Sequence, residues 1–144
     1  MKKQSYSNHK QYVWWFHGLL LGLCLALFIG EMIHFIQSMD DVAETLSAGL
    51  LLLGSGILLF FLFTIRYYAV RLQDRIIRME EQQRHIQLTG KPLDHRLHMK
   101  QIVALRFAPD DEFEKLCKRA VDEHLSQDEI KKHIHRWRGD YHRV

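Results

Sequence analysis

Between Lys10 and Arg66 the chain has no lysine or arginine, although it carries 20 of them in all. That gap holds two apolar runs, Val13 to Ile36 and Leu46 to Tyr68. Each is about 23 residues, enough at about 1.5 Å per residue to cross a hydrocarbon core of ~30 Å. The 47% apolar and 26% charged content would describe an ordinary soluble domain if evenly spread, and the uneven spread excludes that reading. The mean hydropathy of −0.21 averages two different materials. Also lacking is a small-x-small cleavage site after the first run, where Gln37 to Asp41 offers Met39 and acids instead. The run is therefore expected to be a retained span and not a signal peptide. With only two cysteines, Cys24 in the first run and Cys117 far downstream, no disulfide framework is expected and a reducing compartment suits the tail. Cys117 falls on the apolar face of a helical pattern. No phosphate loop, catalytic triad or metal signature occurs, so neither an enzymatic reaction nor a cofactor is expected.

The basic residues that are present orient the spans. Lys2, Lys3 and Lys10 precede the first, Arg66, Arg71, Arg75 and Arg78 follow the second, and the connection between them has none. Lys and Arg resist translocation, so both termini are expected in the cytoplasm of a bacterium, with a multi-pass protein in its inner (plasma) membrane. Trp14 and Trp15 on one span, and Tyr67 and Tyr68 on the other, are placed at the inner headgroup level. Arg66, Arg71, Arg75 and Arg78 can meet anionic lipid head groups, each worth about 1 kcal/mol near the surface.

Helices in lipid associate by close backbone approach, which small residues permit. Gly18, Gly22, Ala26 and Gly30 form a stripe at a spacing of four, and Ser47, Gly49, Gly54, Ser55 and Gly56 offer small patches on the second span. The stripe is expected to serve either the packing of the hairpin itself or a homodimer. Glu31 and His34 are ionisable residues inside a span, on one helical face at i, i+3. Half of a carboxylate-bridged metal site has this spacing, but the second span supplies no other half, so an interfacial pair is expected.

From Leu58 the positions Leu62, Ile65, Ala69, Leu72, Ile76, Met79, Gln83 and Ile86 follow in alternating steps of four and three, a heptad seam that runs on past the second span. Asp74 with Arg78, and Glu80 with Arg84, have helix-supporting spacing. One helix of about 40 residues is expected, ending at Gly90 and Pro92. Its seam requires a partner, either the same helix of a second copy or the chain's own C-terminal helices.

Three short helices are expected in the tail. The first, about His98 to Phe107, presents Ile102, Leu105 and Phe107. The second, about Asp111 to Leu125, follows an acidic start at Pro109 to Glu112 and presents Phe113, Leu116, Cys117, Ala120 and His124. The third opens with a Ser126 and Glu129 capping box and carries Ile130, Ile134, Trp137 and Tyr141 on one side. So few apolar residues make a thin core, and docking on the preceding helix is expected. Lys131, Lys132, Arg136, Arg138 and Arg143 make the end basic, but helically spaced aromatics beside them point to a core face and not to nucleic acid. His95 and His98 are read as a polar helix start.

The segments Gln4 to His9, Arg71 to Glu81 and Gln101 to Ala108, with the ending Trp137-Arg138, Asp140-Tyr141 and Arg143-Val144, resemble a bacterial family of small two-span membrane proteins of unknown function. The resemblance implies the architecture over nearly the whole chain and no activity. The expected protein is all-α: a flank at 1–12, a span at 13–36, an outer loop at 37–45, a span at 46–68, a juxtamembrane helix at 69–88, a linker at 89–97 and a three-helix tail at 98–144. Its expected role is that of a non-enzymatic, membrane-anchored interaction or scaffold protein, alternatively an accessory subunit of a transport complex. The expected partners are membrane lipid and a second copy or another membrane or cytoplasmic protein.

Overall fold

The computed structural model describes Ser5, Tyr6 and residues 14–140, the side chain of His17 excepted. Lys2, Lys3, Lys10 and Val13 at one end, and Tyr141, His142 and Arg143 at the other, lie outside the described residues. The described residues form helices and no strands. A π-helical turn, Trp15–Leu20, leads into α1, Leu21–Gln37. Then come α2, Val42–Thr89, α3, Met99–Leu105, α4, Asp110–Asp122, and α5, Gln127–His133. The chain divides into two compact units, residues 12–69 and a second made of the N-terminal eleven residues with 70–144, so α2 contributes to both.

In the first unit the connection is a turn at 38–41, shorter than the loop expected over 37–45. Asp41 is the reason. Its carboxylate Oδ1 accepts from the backbone N–H of Ala43 at 2.8 Å and of Glu44 at 3.0 Å, which satisfies two of the free donors at a helix start and lets α2 begin at Val42. Thr45 Oγ1 donates to the carbonyl of Ser38 across the turn. The covered residues of α1 are Leu21, Cys24, Phe28, Glu31, Phe35 and then Ser38, and those of α2 include Thr45, Ala48, Leu52, Ser55, Leu59 and Leu62, with Gly49 and Gly56 beside them. Both sets step by three and four, the spacing of helices packed along one seam. Outside that seam the two helices are apolar and exposed. Both are long and apolar enough to cross a membrane, and only 6% and 17% of their most apolar windows are covered.

The second unit has its own core. Ile77 from the end of α2 joins Leu97, Ile102, Leu105, Phe107, Phe113, Leu116, Val121, Leu125, Ile130 and Ile134. Local chemistry sets each helix boundary. α2 stops because Gly90 takes φ +70° and its N–H bonds the Ile86 carbonyl at 2.8 Å, the left-handed close that a side chain resists. Asp110, Asp111 and Glu112 fill the first turn of α4 after Pro109. α4 ends with the Leu125 N–H on the Ala120 carbonyl at 3.2 Å, which obliges His124 to adopt φ 51°. His124 is therefore exposed past the helix end, where a core-facing position was expected. Ser126 accepts from the Glu129 N–H and Glu129 returns a bond to the Ser126 N–H at 2.7 Å, the expected capping box.

The third tail helix is shorter than its periodicity suggests. Ile134 leaves it with ψ 115°, and residues 134–140 are not helical. The Arg138 N–H bonds the Phe107 carbonyl at 2.8 Å, and the Trp137 ring lies 4.9 Å from that of Phe107. Trp137 reaches the core from this strap and not from a helix face.

Candidate functional site

The end of α2 is covered on one side and bare on the other. Ile77, Glu81 and Arg84 are buried against the tail, with Gln73, Asp74 and His85 half-covered. Leu72, Ile76, Met79 and Ile86, the expected cytoplasmic seam, are exposed at 59%, 49%, 72% and 45%. At 100° per residue the two sets lie about 150° apart round the helix. The tail thus docks on the face that the apolar pattern did not mark.

The reason is a polar hub. The Arg84 Nη1 donates to Glu81 Oε2 at 3.0 Å, Nη2 to the Ala108 carbonyl at 2.7 Å, and Nε to Asp110 Oδ1 at 2.7 Å. Its guanidinium lies 4.2 Å over the Phe113 ring. The expected Glu80 pairing gives way to Glu81 and Asp110 because a planar, forked donor fits several acceptors at once. Burial pushes the Glu81 carboxyl above its usual range, an effect that Arg84 opposes and only partly offsets. Gln101 is a second buried tie: its Oε1 accepts from the His98 N–H at 2.8 Å, and its Nε2 donates to the carbonyls of Ala120 and Leu125 at 3.0 and 2.9 Å. The Arg84 hub closes the tail onto α2, and Gln101 ties the start of α3 to the end of α4 within the tail. Sequence reasoning missed Gln101, although a glutamine opening an apolar run is a signal that it needs a partner.

Among the described residues of the basic end, several are tied into the same unit. Arg136 pairs with Asp111, the His135 N–H donates to Glu112 at 3.0 Å, and Arg106 Nε lies 3.2 Å from Asp140. Lys131 is buried, and the Lys132 ammonium lies 5.9 Å over the Tyr6 ring. His95 is exposed beside Asp94, whose carboxyl the bidentate Arg96 guanidinium holds at about 2. A cleft of about 330 Å³ beside these residues is lined by His85, Lys91, Arg96, Lys118 and Asp122 over the Cys117 thiol. Arg96 and Lys118 are already paired with Asp94 and Glu114, and burial pushes Cys117 up to about 12, far from a reactive thiolate. No group of three His, Cys, Asp or Glu side chains converges among the described residues.

In the first unit the small-residue stripe faces outward. Gly22, Ala26 and Gly30 are exposed, and a Cβ at Gly22 or Gly30 would meet nothing within 4 Å. Gly18 is half-covered. The hairpin instead seats Phe35 against Gly49, 3.3 Å from where a Cβ would lie, and Phe28 against Gly56 at 3.6 Å. Large rings on α1 therefore enter the small patches of α2, and the expectation that the stripe packs the hairpin is corrected. Glu31 sits half-covered with His34 Nδ1 3.6 Å from its Oε2, longer than a hydrogen bond. Arg66 lies 5.6 Å over the Phe16 ring, which brings the Trp14–Trp15 pair and the Tyr67–Tyr68 pair to one end of the hairpin. Arg71, Arg75 and Arg78 are exposed on α2.

A model of a family of unknown function (DUF6526) matches residues 1–144. Neither the curated proteins nor the solved structures contain a match.

Proposed function

The chain belongs to this family of unknown function, and on that premise we propose that it is a non-enzymatic membrane protein whose helical hairpin anchors a folded docking domain. The observation that carries the reading is the bare apolar exterior of the hairpin, with Leu23, Leu53, Phe60, Phe61, Phe63 and Ile65 each more than half exposed. Soluble proteins rarely expose continuous apolar patches beyond a few hundred Å², whereas lipid covers such a surface at no cost. The Lys and Arg asymmetry supports a bacterial inner membrane with both termini cytoplasmic, and on this reading Arg66, Arg71, Arg75 and Arg78 serve the lipid head groups.

The test is fractionation with topology mapping. The protein should stay in membranes washed with alkaline carbonate. A Met39→Cys variant should react with an impermeant maleimide in intact cells, and a His95→Cys variant only after lysis. Release into the carbonate wash, or the reverse labelling, would refute the reading. A second reading, an accessory subunit of a transport complex, draws on Glu31, whose Oε2 is buried without a hydrogen-bond partner. If Glu31→Ala with His34→Ala leaves every transport and pH-sensitivity phenotype unchanged, that reading loses its support.

A further inference from the structure

We propose that the bare seam of α2 is the docking surface for a second copy of this chain, joined parallel and in register. The inference rests on the membrane-anchored reading above and names the partner of its docking domain. Taking Ile76 and Gln83 as the first and Leu72, Met79 and Ile86 as the fourth positions of heptads, the buried residues Ile77, Glu81 and Arg84 fall on the outer positions. The tail therefore occupies the side of the helix that a coiled coil leaves free, and both contacts can exist at once.

Charge selects the partner. In this frame Arg75 and Glu80 occupy the two positions that flank the seam, five residues apart, which is the offset at which flanking residues meet across a parallel, in-register pair. Each copy's Arg75 would face the other's Glu80, so one chain carries both halves of the complement and forms the pair twice. Both side chains are exposed. Gln83, the single polar residue within the seam, would meet its own copy there, and a polar residue at such a position fixes register and favours the pairing that lets it hydrogen-bond. A membrane supplies the remaining requirement. Two heptads are marginal for free helices, but copies held in one bilayer are already parallel, level and concentrated.

The experiment is disulfide trapping of the full chain in native membranes. A cysteine at Met79 should give an oxidised dimer, whereas a cysteine at Arg78, exposed but off the seam, should give several-fold less. Glu80→Arg in the Met79→Cys background should cut the dimer several-fold, and adding Arg75→Glu should restore it. Carbonate washing of the same membranes separates the two ideas. A retained protein that gives no Met79 dimer, gives equal trapping at both sites, or fails the charge-swap rescue overturns the seam dimer alone. A protein lost to the wash overturns the anchor reading on which it rests.

Discussion

Arg84→Ala is expected to destabilise the helical domain by about 4 kcal/mol at pH 7, assembled from the groups its guanidinium touches. Without Arg84, Glu81 is a buried carboxylate that escapes by taking a proton. Starting from the ordinary value of 4.5, holding it neutral at pH 7 costs at most about 3.4 kcal/mol, at about 1.36 kcal/mol per pH unit. Part of that is already present in the native protein, whose Glu81 is raised. The Ala108 carbonyl loses a buried donor, worth about 1–3 kcal/mol, and the Phe113 face loses its cation, worth about 1 kcal/mol. The arm to Asp110 adds little because that carboxylate is 65% exposed. The assay is urea unfolding of the full chain in detergent, followed by Trp137 fluorescence with Trp14 and Trp15 replaced by Phe. The pH dependence is the discriminating result. At pH 5 the Glu81 contribution falls to at most about 0.7 kcal/mol, so the deficit should shrink by about 2 kcal/mol. A deficit below about 1 kcal/mol, or one equal at pH 5 and pH 7, would refute the hub as drawn.

Three other outcomes are expected. Glu81→Gln should remove a pH dependence: the native carboxyl is raised, so its contribution is full below about 4.5 and is lost as pH rises through the folded value, and urea midpoints of the variant should not show that decline. Gly49→Leu should loosen the hairpin by about 1–3 kcal/mol by colliding with Phe35, while Gly22→Leu leaves it intact, as read by thermal aggregation in detergent. Gly90→Ala should cost about 1 kcal/mol by placing a side chain at φ +70°, seen as a lower urea midpoint for Trp137.

Signals that act over a few residues were readable. Gly90, the acids after Pro109 and the Ser126 to Glu129 box end and start helices as their chemistry dictates, and the charge gap with its two apolar runs separates the units. Asp41 and Glu44 have the spacing of a helix start, although 37–45 is expected as a loop. The docked face of α2 was not readable. Periodicity finds apolar stripes, and the tail instead chose Glu81 and Arg84, whose burial depends on Ala108 in the connection between α3 and α4 and on Asp110 at the start of α4. Trp137 and Tyr141 kept helical spacing past the point where the Phe107 carbonyl draws the chain out of the helix. The glycine stripe was visible as a pattern, but its direction depends on where Phe28 and Phe35 point, and spacing alone does not carry that.

The turn at 38–41 bears on how the protein would enter a bilayer. Its backbone is tied by Asp41 and Thr45, and it is too short to let one helix cross while the other waits in the headgroups. Insertion then becomes a single partition event, in which the transfer free energies of both helices add before either is committed. A lysine placed mid-way along α1 would, on the membrane reading, also unseat α2, and the arginines in the second half of α2 would act as the brake that leaves the crossing half-way round.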